Sequence, residues 1–526
     1  MNGTQIILLV GWLFVLIWVP LVIYSNRKTH PMALFVLFGA EMWERFSYYG
    51  MRALLTLYMA KVLFIELGQG AADTQALSIY GSYTSMVYLF PVIGGMVADR
   101  IFGFRKAIIW GGIVMMAGHF TLALMGMAGL ENNMTVFFLA LAMIIAGNAF
   151  FKPNIASFLG DFYEQNDPRK DGAFTIFYMG VNIGSFLATL TCGYIGETIN
   201  WHYGFGLAGI GMGLGLLMFW LLGPKVFGDK GLAPKSEAPI KPLIKGLSNQ
   251  NIVYLSTILF LPICASLLNL NQMMSSALLV ISVIMIVYMI YTALRSDDHK
   301  IGKRLLVIVI LFFFHVVFWA LFEQAGGSLT LFTDRNVDRT IFGAELPASI
   351  FQSLNPLYIV ILAPIFSVMW IRLRKAKLEP STPMKFVLGL AQLGIGFLIV
   401  VIGAKWFSSD GMVPVVFIFL MYLLHTTGEL FLSPVGLSMV TKLSPRNIVG
   451  FAMGFWYLSF ALANKLAGEI GKMTTSQDLD SGAAPVDTLV AYTSTYQTWG
   501  VYVVLGTALV LFFLVPLLKK WMSGIH

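Results

Sequence analysis

The chain has 526 residues, of which 58% are hydrophobic and 11% are charged, and its formal net charge is +8. An ordinary soluble domain carries about 25% charged residues, so this composition excludes a soluble enzyme. Apolar runs recur along the whole chain, each long enough to cross a hydrocarbon layer of about 30 Å as a helix. We therefore expect an all-α integral membrane protein surrounded by the lipid bilayer. The excess of basic over acidic residues first indicates how the chain is oriented in the membrane, and we expect no nucleic-acid partner.

Apolar runs bounded by charges or by Gly, Pro and Asn clusters predict the membrane-spanning segments. Fifteen segments result, in chain order: 5–24, 32–65, 75–102, 106–128, 133–160, 169–196, 203–223, 251–270, 274–294, 303–333, 347–373, 384–404, 411–440, 446–470 and 490–519.

The basic residues predict the orientation of these segments. Of the 34 Lys and Arg residues, 25 fall at alternate segment ends and 5 at the opposite ends. The positive-inside rule places the larger set, which includes Lys519 and Lys520, in the cytoplasm. We therefore expect a multi-pass protein with its C-terminus in the cytoplasm. Segment 5–24 precedes Arg27 and Lys28, so it is interpreted as a retained anchor whose first residue lies outside, with an interfacial helix as the alternative.

One hydrophilic stretch, 224–251, divides the chain. Segment 5–24 and six segments between residues 32 and 223 precede it, two segments follow it directly, and six more lie between 303 and 519. The predicted domains are an extra N-terminal transmembrane helix at 1–31, a six-helix bundle at 32–223, a linker with two extra helices at 224–302, and a second six-helix bundle at 303–526. Two similar bundles joined by a basic connection are typical of secondary transporters with a substrate site where the bundles meet.

Cysteine and histidine patterns predict no metal site. Cys192 and Cys264 each lie within an apolar segment and are expected to be buried free thiols. The seven histidines show neither HxxxH spacing nor a nearby CxxC pair, so we expect neither a metal nor another cofactor.

Charged residues inside the spans are the strongest functional signal, because each costs roughly 2.5–3.5 kcal/mol on insertion. Seven stand out: Glu41, Glu44, Arg45, Arg52, Lys152, Glu323 and Glu429. Helical spacing places Glu41, Glu44, Arg45, Tyr48 and Arg52 on one stripe. Salt bridges that lock helices together are one interpretation, and a polar cavity is the other. Four carboxylates face three cations, so one carboxylate has no cation in this set and is a natural proton carrier.

The stripe also carries a family motif. Residues 41–50, EMWERFSYYG, match the ExxERFxYYG motif of the proton-dependent oligopeptide transporters, a branch of the major facilitator superfamily. Further matches follow in order: GGMVADR at 94–100, FKPN at 151–154, FYMGVNIGS at 177–185, FWALFEQ at 318–324, QSLNP at 352–356, GELFLSP at 428–434 and GFWY at 454–457. The resemblance covers about residues 32–519, and the two central segments make the chain similar to bacterial members.

The resemblance implies the major facilitator fold and a peptide site between the two halves. By their match to family positions, Arg52 and Lys152 receive the peptide carboxylate, and Glu429, Asn182 and Asn355 hold the amino end. The matches further imply that Tyr48, Tyr49 and Tyr88 offer hydroxyl groups to the peptide backbone and that Trp319 and Trp456 form walls of side-chain pockets.

Proton coupling and gating are implied for Glu41, Glu44, Arg45 and Glu323. Two departures qualify this resemblance. Residues 71–91 contain no histidine, which excludes a histidine relay there, and Phe322 stands where many relatives carry a second glutamate beside Glu323.

The function expected from the resemblance is proton-coupled symport of di- and tripeptides by alternating access in the bacterial inner membrane. Protons are the coupling ion, and we expect a functional monomer. Nitrate or a drug-like compound is the alternative substrate within the same fold, and a membrane-embedded enzyme is the alternative from another class.

Overall fold

The structure, a computed structural model, describes residues 3–164, 167–233, 246–341, 343–475 and 484–524. Within these ranges, twelve helical stretches are long and apolar enough to cross a membrane. One of them, Gln69–Met127, covers two of the segments predicted from the sequence. The prediction of a multi-pass helical membrane protein is confirmed.

Nine α-helices lie before residue 270. They are α1 (Gly3–Asn26), α2 (Met32–Tyr58), α3 (Gln69–Leu89), α4 (Pro91–Val97), α5 (Gly103–Met127), α6 (Met134–Gly160), α7 (Lys170–Thr198), α8 (Trp201–Val226) and α9 (Asn249–Asn269). The predicted segment 32–65 is not one regular helix, because its last part is a π-helix at Met59–Leu63 and a 3₁₀ turn at Ile65–Leu67.

Nine more α-helices follow. They are α10 (Asn271–Leu294), α11 (His299–Phe322), α12 (Ser328–Asn336), α13 (Leu354–Lys375), α14 (Thr382–Trp406), α15 (Val416–Leu443), α16 (Val449–Lys472), α17 (Pro485–Thr495) and α18 (Val504–Trp521). Four two-residue strands lie beside them: β1 (Val337–Asp338), β2 (Thr340–Ile341), β3 (Ala344–Glu345) and β4 (Val413–Pro414). The strands β1 and β4 pair in parallel, with Val337 opposite Val413.

Polar side chains fix where several of the helices begin. Asn133 accepts a hydrogen bond from the backbone N–H of Val136 at the start of α6, and Ser248 accepts one from Asn251 at the start of α9. Asp298 does the same for Lys300 before α11. Each cap satisfies a backbone donor that the first helical turn leaves unpaired. These residues therefore mark the position at which the loop ends and the apolar helix begins.

The chain forms two compact units. The first comprises Met1–Tyr58, Leu89–Leu270 and Ile341–Pro356. In it, α2 packs on α7 and α8, α5 packs on α6 and α8, and α9 packs on α6. Its core is built from aromatic and aliphatic side chains, among them Phe38, Phe151, Phe158 and Phe219.

The second unit comprises Met59–Tyr88, Asn271–Thr340 and Leu357–His526. Here α14 packs on α15 and α18, α11 packs on α16, and α10 packs on α11 and α16. The four-part division predicted from the sequence stays a prediction, and residues 234–245 of its linker lie outside the described residues.

Helix α1 packs along one face of α7. The indole N–H of Trp12 donates to the hydroxyl oxygen of Thr191 at 3.0 Å, and Gly11 lies against Leu190 and Phe186. Most of the other α1 side chains are exposed apolar groups, such as Leu16 and Ile17. A helix with apolar residues all round is stable in this position because lipid covers what the protein does not.

Candidate functional site

Three charged residues of α2 form an ion-pair cluster in the first unit. The Nε atom of Arg45 lies 2.7 Å from Oε1 of Glu41 and 3.1 Å from Oε2 of Glu44. All three side chains are buried. Because the three residues belong to one helix, these ion pairs do not join helices, which argues against the helix-locking interpretation.

Helix α6 contributes two polar groups to this cluster. The amide nitrogen of Asn148 donates to Oε1 of Glu44 at 3.3 Å, and Asn148 is fully buried. One turn later on α6, the positive charge of Lys152 acts on the Glu44 carboxylate. Glu44 therefore has one guanidinium group and one amide group as partners in place of water.

A glycine sets the distance between α2 and α7 beside the cluster. A Cβ atom at Gly184 would lie about 3.1 Å from Cβ of Arg45 and would overlap the carbonyl group of Met42. The predicted amine-binding residue Asn182 precedes Gly184 by two residues on α7. Asn182 is buried, and its amide nitrogen donates to the carbonyl oxygen of Tyr178 on its own helix at 3.0 Å.

Arg52 continues the charged stripe of α2. Its guanidinium lies over the Tyr49 ring, 5.6 Å from the ring centroid, and the Tyr48 and Tyr49 rings are in edge contact at 5.3 Å. Both Arg52 and Tyr48 are buried. The Tyr49 ring supports the cation, and a guanidinium group can bind a carboxylate through two parallel hydrogen bonds.

Asn355 lies at the start of α13, directly after a 3₁₀-helix at Ala348–Ser353. The Glu197 carboxylate accepts hydrogen bonds from the backbone N–H groups of Ala348 and Ser349, at 3.3 and 2.8 Å. A carboxylate at a helix N-terminus satisfies backbone donors and matches the helix dipole. Glu197 thus positions the segment that carries Asn355, a role that the sequence analysis did not assign.

The two predicted pocket tryptophans meet at one histidine in the second unit. The indole N–H of Trp319 donates to Nε2 of His315 at 2.8 Å, and Nδ1 of His315 lies 2.7 Å from the hydroxyl oxygen of Ser459. The Ser459 hydroxyl donates to the carbonyl oxygen of Trp456 at 2.5 Å. Since an indole nitrogen can only donate, Nε2 accepts and Nδ1 carries the proton. The His315 and Trp456 rings lie 4.4 Å apart.

Tyr88 belongs to the same aromatic group through Phe460. The Tyr88 and Phe460 rings stack at 5.5 Å, and Phe460 contacts Trp319 at 5.1 Å. The Trp456 ring is fully buried. The structure therefore brings three predicted substrate residues of this unit, Tyr88, Trp319 and Trp456, into one aromatic cluster.

The two carboxylates predicted in this half lie on neighbouring helices. Glu323 is buried at the end of α11, where the backbone changes from α-helix to a 3₁₀ turn. Glu429 is buried on α15, one turn after the buried His425, whose ring packs 4.8 Å from that of Phe397.

Two ion pairs in the second unit were not predicted as partners. Nη2 of Arg335 on α12 donates to Oδ1 of Asp73 on α3 at 2.6 Å, and Nζ of Lys61 lies 2.6 Å from Oδ1 of Asp334. The sequence analysis used Lys61 and Arg335 only as topology markers. The spacing of these residues in the sequence could not indicate that they pair, because the partners are more than 250 residues apart in the chain.

Lys465 forms the intrahelical pair with Glu469 that their spacing predicts, and it also contacts another helix. Its ammonium group donates to the hydroxyl oxygen of Ser82 at 2.9 Å and lies 3.4 Å from the Glu469 carboxylate. Ser82 in turn donates to Oδ1 of Asn271 at 2.9 Å. The side chain is therefore buried and joins α16 to α3 and, through Ser82, to the start of α10.

Comparisons with known proteins agree with this arrangement. The POT family model matches residues 105–487, which is most of the chain. The chain belongs to the POT family. It is 37% identical to the transporter YclF of Bacillus subtilis, over 94% of this chain and 96% of the relative. It is 33% identical to dipeptide and tripeptide permease B of Salmonella typhimurium, over the same shares of the two chains.

Solved structures of POT family members share the fold. A crystal structure of a peptide transporter in complex with sulfate has a TM-score of 0.78 at 34% identity and covers 94% of this chain and 96% of its own. A variant in complex with alafosfalin has a TM-score of 0.77 over the same coverage. The major facilitator fold predicted from the sequence is thereby confirmed. The roles assigned to individual site residues stay predictions.

The buried ion pair between Asp73 and Arg335 is expected to couple energetically. The side-chain exposures are 3% for Asp73 and 15% for Arg335, so removing one partner leaves a largely desolvated charge. A double-mutant cycle of Asp73→Asn and Arg335→Gln, read by thermal unfolding in detergent, should give a coupling energy of about 2 kcal/mol or more.

The matched control is the pair Arg374 and Glu379, in which the arginine side chain is 75% exposed. A cycle of Arg374→Gln and Glu379→Gln should give less than about 1 kcal/mol, because water screens this pair. Equal coupling energies in the two cycles would contradict the prediction.

Proposed function

We propose that this POT family protein is a secondary transporter that imports di- and tripeptides together with protons. Relatives over most of the chain are named as peptide transporters or as dipeptide and tripeptide permeases. The observation that carries the proposal is the buried cluster in which Glu41 and Glu44 share Arg45, on the helix that also carries Arg52 and in contact with α6, which carries Lys152. Carboxylates that share one guanidinium suit proton exchange, and cations beside them suit a ligand with a carboxylate.

The geometry around Glu44 suggests how peptide and proton are linked. The amide nitrogen of Asn148 on α6 donates to the Glu44 carboxylate, and α6 carries the positive charge of Lys152 one helical turn later. When the carboxylate of a peptide takes up the charge of Lys152, that charge no longer offsets Glu44, and a proton on Glu44 becomes more favourable. By linkage, a proton on Glu44 leaves Lys152 available to the peptide, so each ligand promotes binding of the other.

We assign the remaining site residues to the parts of the peptide whose charge or polarity they complement. Arg52 and Lys152 receive the peptide carboxylate, and Glu429, Asn182 and Asn355 bind the amino group. Tyr48, Tyr49 and Tyr88 bind the peptide backbone, and Trp319 and Trp456 limit the side-chain pockets. Glu41, Glu44, Arg45 and Glu323 carry the coupled proton and gate the path. Opposite charges for the two ends select a short zwitterion largely independently of its side chains.

The proton gradient is large enough to drive this uptake. One proton crossing 100 mV releases about 2.3 kcal/mol, and one pH unit adds about 1.4 kcal/mol. Together they support accumulation of several hundred-fold. We propose protons as the coupling ion with no other cofactor, and transport instead of catalysis as the activity. The further proposals are a bacterial inner-membrane location, a cytoplasmic C-terminus and a functional monomer.

A counterflow assay in proteoliposomes tests the substrate class. Labelled dialanine should exchange, and unlabelled dipeptides and tripeptides should compete with it, because both present the two charged ends at short separation. Nitrate, tetrapeptides and larger peptides should compete poorly. Competition by nitrate at concentrations at which dipeptides fail would favour the alternative substrate class within this fold.

The coupling role of Glu44 is tested with Glu44→Gln. The glutamine keeps a hydrogen-bonding group opposite Asn148 but cannot exchange a proton, so acid-driven accumulation should be abolished while peptide exchange without a gradient remains measurable. Glu66→Gln, which removes an exposed carboxylate, is the matched control and should accumulate peptide normally. Normal accumulation by Glu44→Gln would remove the coupling role from this residue.

Recognition of the peptide carboxylate is tested with Lys152→Ala and an amidated dipeptide. Amidation should weaken binding to the wild type about tenfold or more, and much less to Lys152→Ala, because the charge-assisted contact is already lost. Lys28→Ala, which removes an exposed lysine, should behave as the wild type. Independent, additive losses from amidation and Lys152→Ala would show that Lys152 does not bind this carboxylate.

A further inference from the structure

An apolar cavity of about 230 Å³ lies within the first unit, where α9 packs beside α4 and α6. Small residues form its inner side, including Gly94, Ala146 and Ala149, and Val253, Ser256 and Thr257 of α9 form the opposite side. A Cβ atom at Gly94 would overlap the carbonyl oxygen of Ala149, so α4 and α6 touch there. The helix α9 packs on α6 at this level, and the cavity is the space that α4, α6 and α9 leave between them.

Aromatic ring contacts join α9 to the neighbouring segments near both ends of the cavity. The Phe90 and Phe260 rings meet at 5.0 Å, and the Phe102 and Tyr254 rings meet at 4.9 Å. The lining of α9 extends from Val253 to Phe260, which is about 10 Å along a helix. The cavity is therefore an elongated slot parallel to the helix, held open by rings at its two ends.

Hydrocarbon is the chemistry that fits this slot. Apolar cavities of about 150 Å³ stay free of water and take up hydrocarbon molecules, and this one is larger. Its lining residue Ile93 is 52% exposed, and the neighbouring α9 residues Leu255 and Leu259 face outward, so one side of the slot opens toward the acyl chains of the bilayer.

Positive charge lies at one end of the slot. The ammonium group of Lys106 donates to Oε1 of Gln250 at 2.8 Å, and Gln250 precedes the lining residue Val253 by about one turn. Arg100 follows the lining residue Val97 at a similar spacing. Both cations are exposed, and one acidic residue, Asp99, lies beside Arg100. The charge bias of the sequence places this end at the cytoplasmic leaflet, where anionic headgroups collect near Lys and Arg.

We propose that this slot binds one acyl chain of an anionic phospholipid, whose phosphate contacts Lys106 and Arg100. The site is separate from the peptide site and requires only that the protein spans a bilayer. A bound lipid fills the space beside α4 and α6 and thereby supports the helix that carries Asn148 and Lys152.

Native mass spectrometry of the full-length protein, purified in mild detergent, tests the proposal with two probes of identical acyl chains, phosphatidylglycerol and phosphatidylcholine. The wild type should retain one phosphatidylglycerol and prefer it to phosphatidylcholine. Lys106→Gln should keep the contact with Gln250 and lower this preference about fivefold, the effect of one cation near a headgroup.

Filling the slot should remove the lipid. Ser256→Phe places a ring in the cavity from an exposed position of α9, and it should abolish retention of phosphatidylglycerol and the rise in melting temperature that this lipid gives the wild type. Leu259→Phe adds a ring to the same helix outside the lining, and it should behave as the wild type. Ser256→Leu, a smaller filling variant, replaces Ser256→Phe if that protein is not monodisperse.

Each of the other outcomes overturns a stated part of the proposal. Retention of phosphatidylglycerol by Ser256→Phe, equal to that of the wild type, would show that the lipid binds elsewhere on the surface. Equal binding of the two probes by the wild type, unchanged in Lys106→Gln, would overturn the headgroup contact.

Discussion

One guanidinium shared by two carboxylates on a membrane-spanning helix is the constraint on which the first unit depends. Charged groups at the centre of a bilayer cost several kcal/mol each, so α2 cannot face lipid along the stretch that carries Glu41, Glu44 and Arg45. The structure meets this demand by burying α2 along almost its whole length, against α6, α7 and α8. The position of Gly184, which permits the close approach of α7, is a consequence of the same demand.

The second unit provides partners for its polar side chains in a different way. Its buried polar side chains join different helices: Arg335 joins α12 to α3, and Lys465 joins α16 to the same helix. The first unit keeps its main ion pairs within one helix and receives support from neighbours. The two units thus place their ion pairs differently, within one helix in the first unit and between helices in the second.

The sequence predicted most of the fold and part of the site because two signals are local. Apolar runs define spans, and the spacing of Glu41, Glu44, Arg45 and Arg52 defines one face of a helix. Asn148 escaped prediction because a neutral amide in an apolar run resembles an ordinary packing residue. The pair of Asp73 and Arg335 escaped because helical periodicity carries no information about partners so far apart in the chain. The break of the segment 32–65 after Tyr58 was missed because a π-helix keeps the composition of the helix it extends.

The hydrogen-bond chain from Trp319 through His315 and Ser459 to the backbone of Trp456 has a fixed direction. Every donor in it already points at an acceptor, and both ring nitrogens of His315 are used. A second proton on this imidazole would place a hydrogen where the indole hydrogen of Trp319 already points, so charging the ring requires that contact to break. Only the neutral ring, with its proton on Nδ1, therefore satisfies all three hydrogen bonds of the cluster. The direction of these three hydrogen bonds thereby fixes the Trp319 indole relative to the helix backbone that carries Trp456.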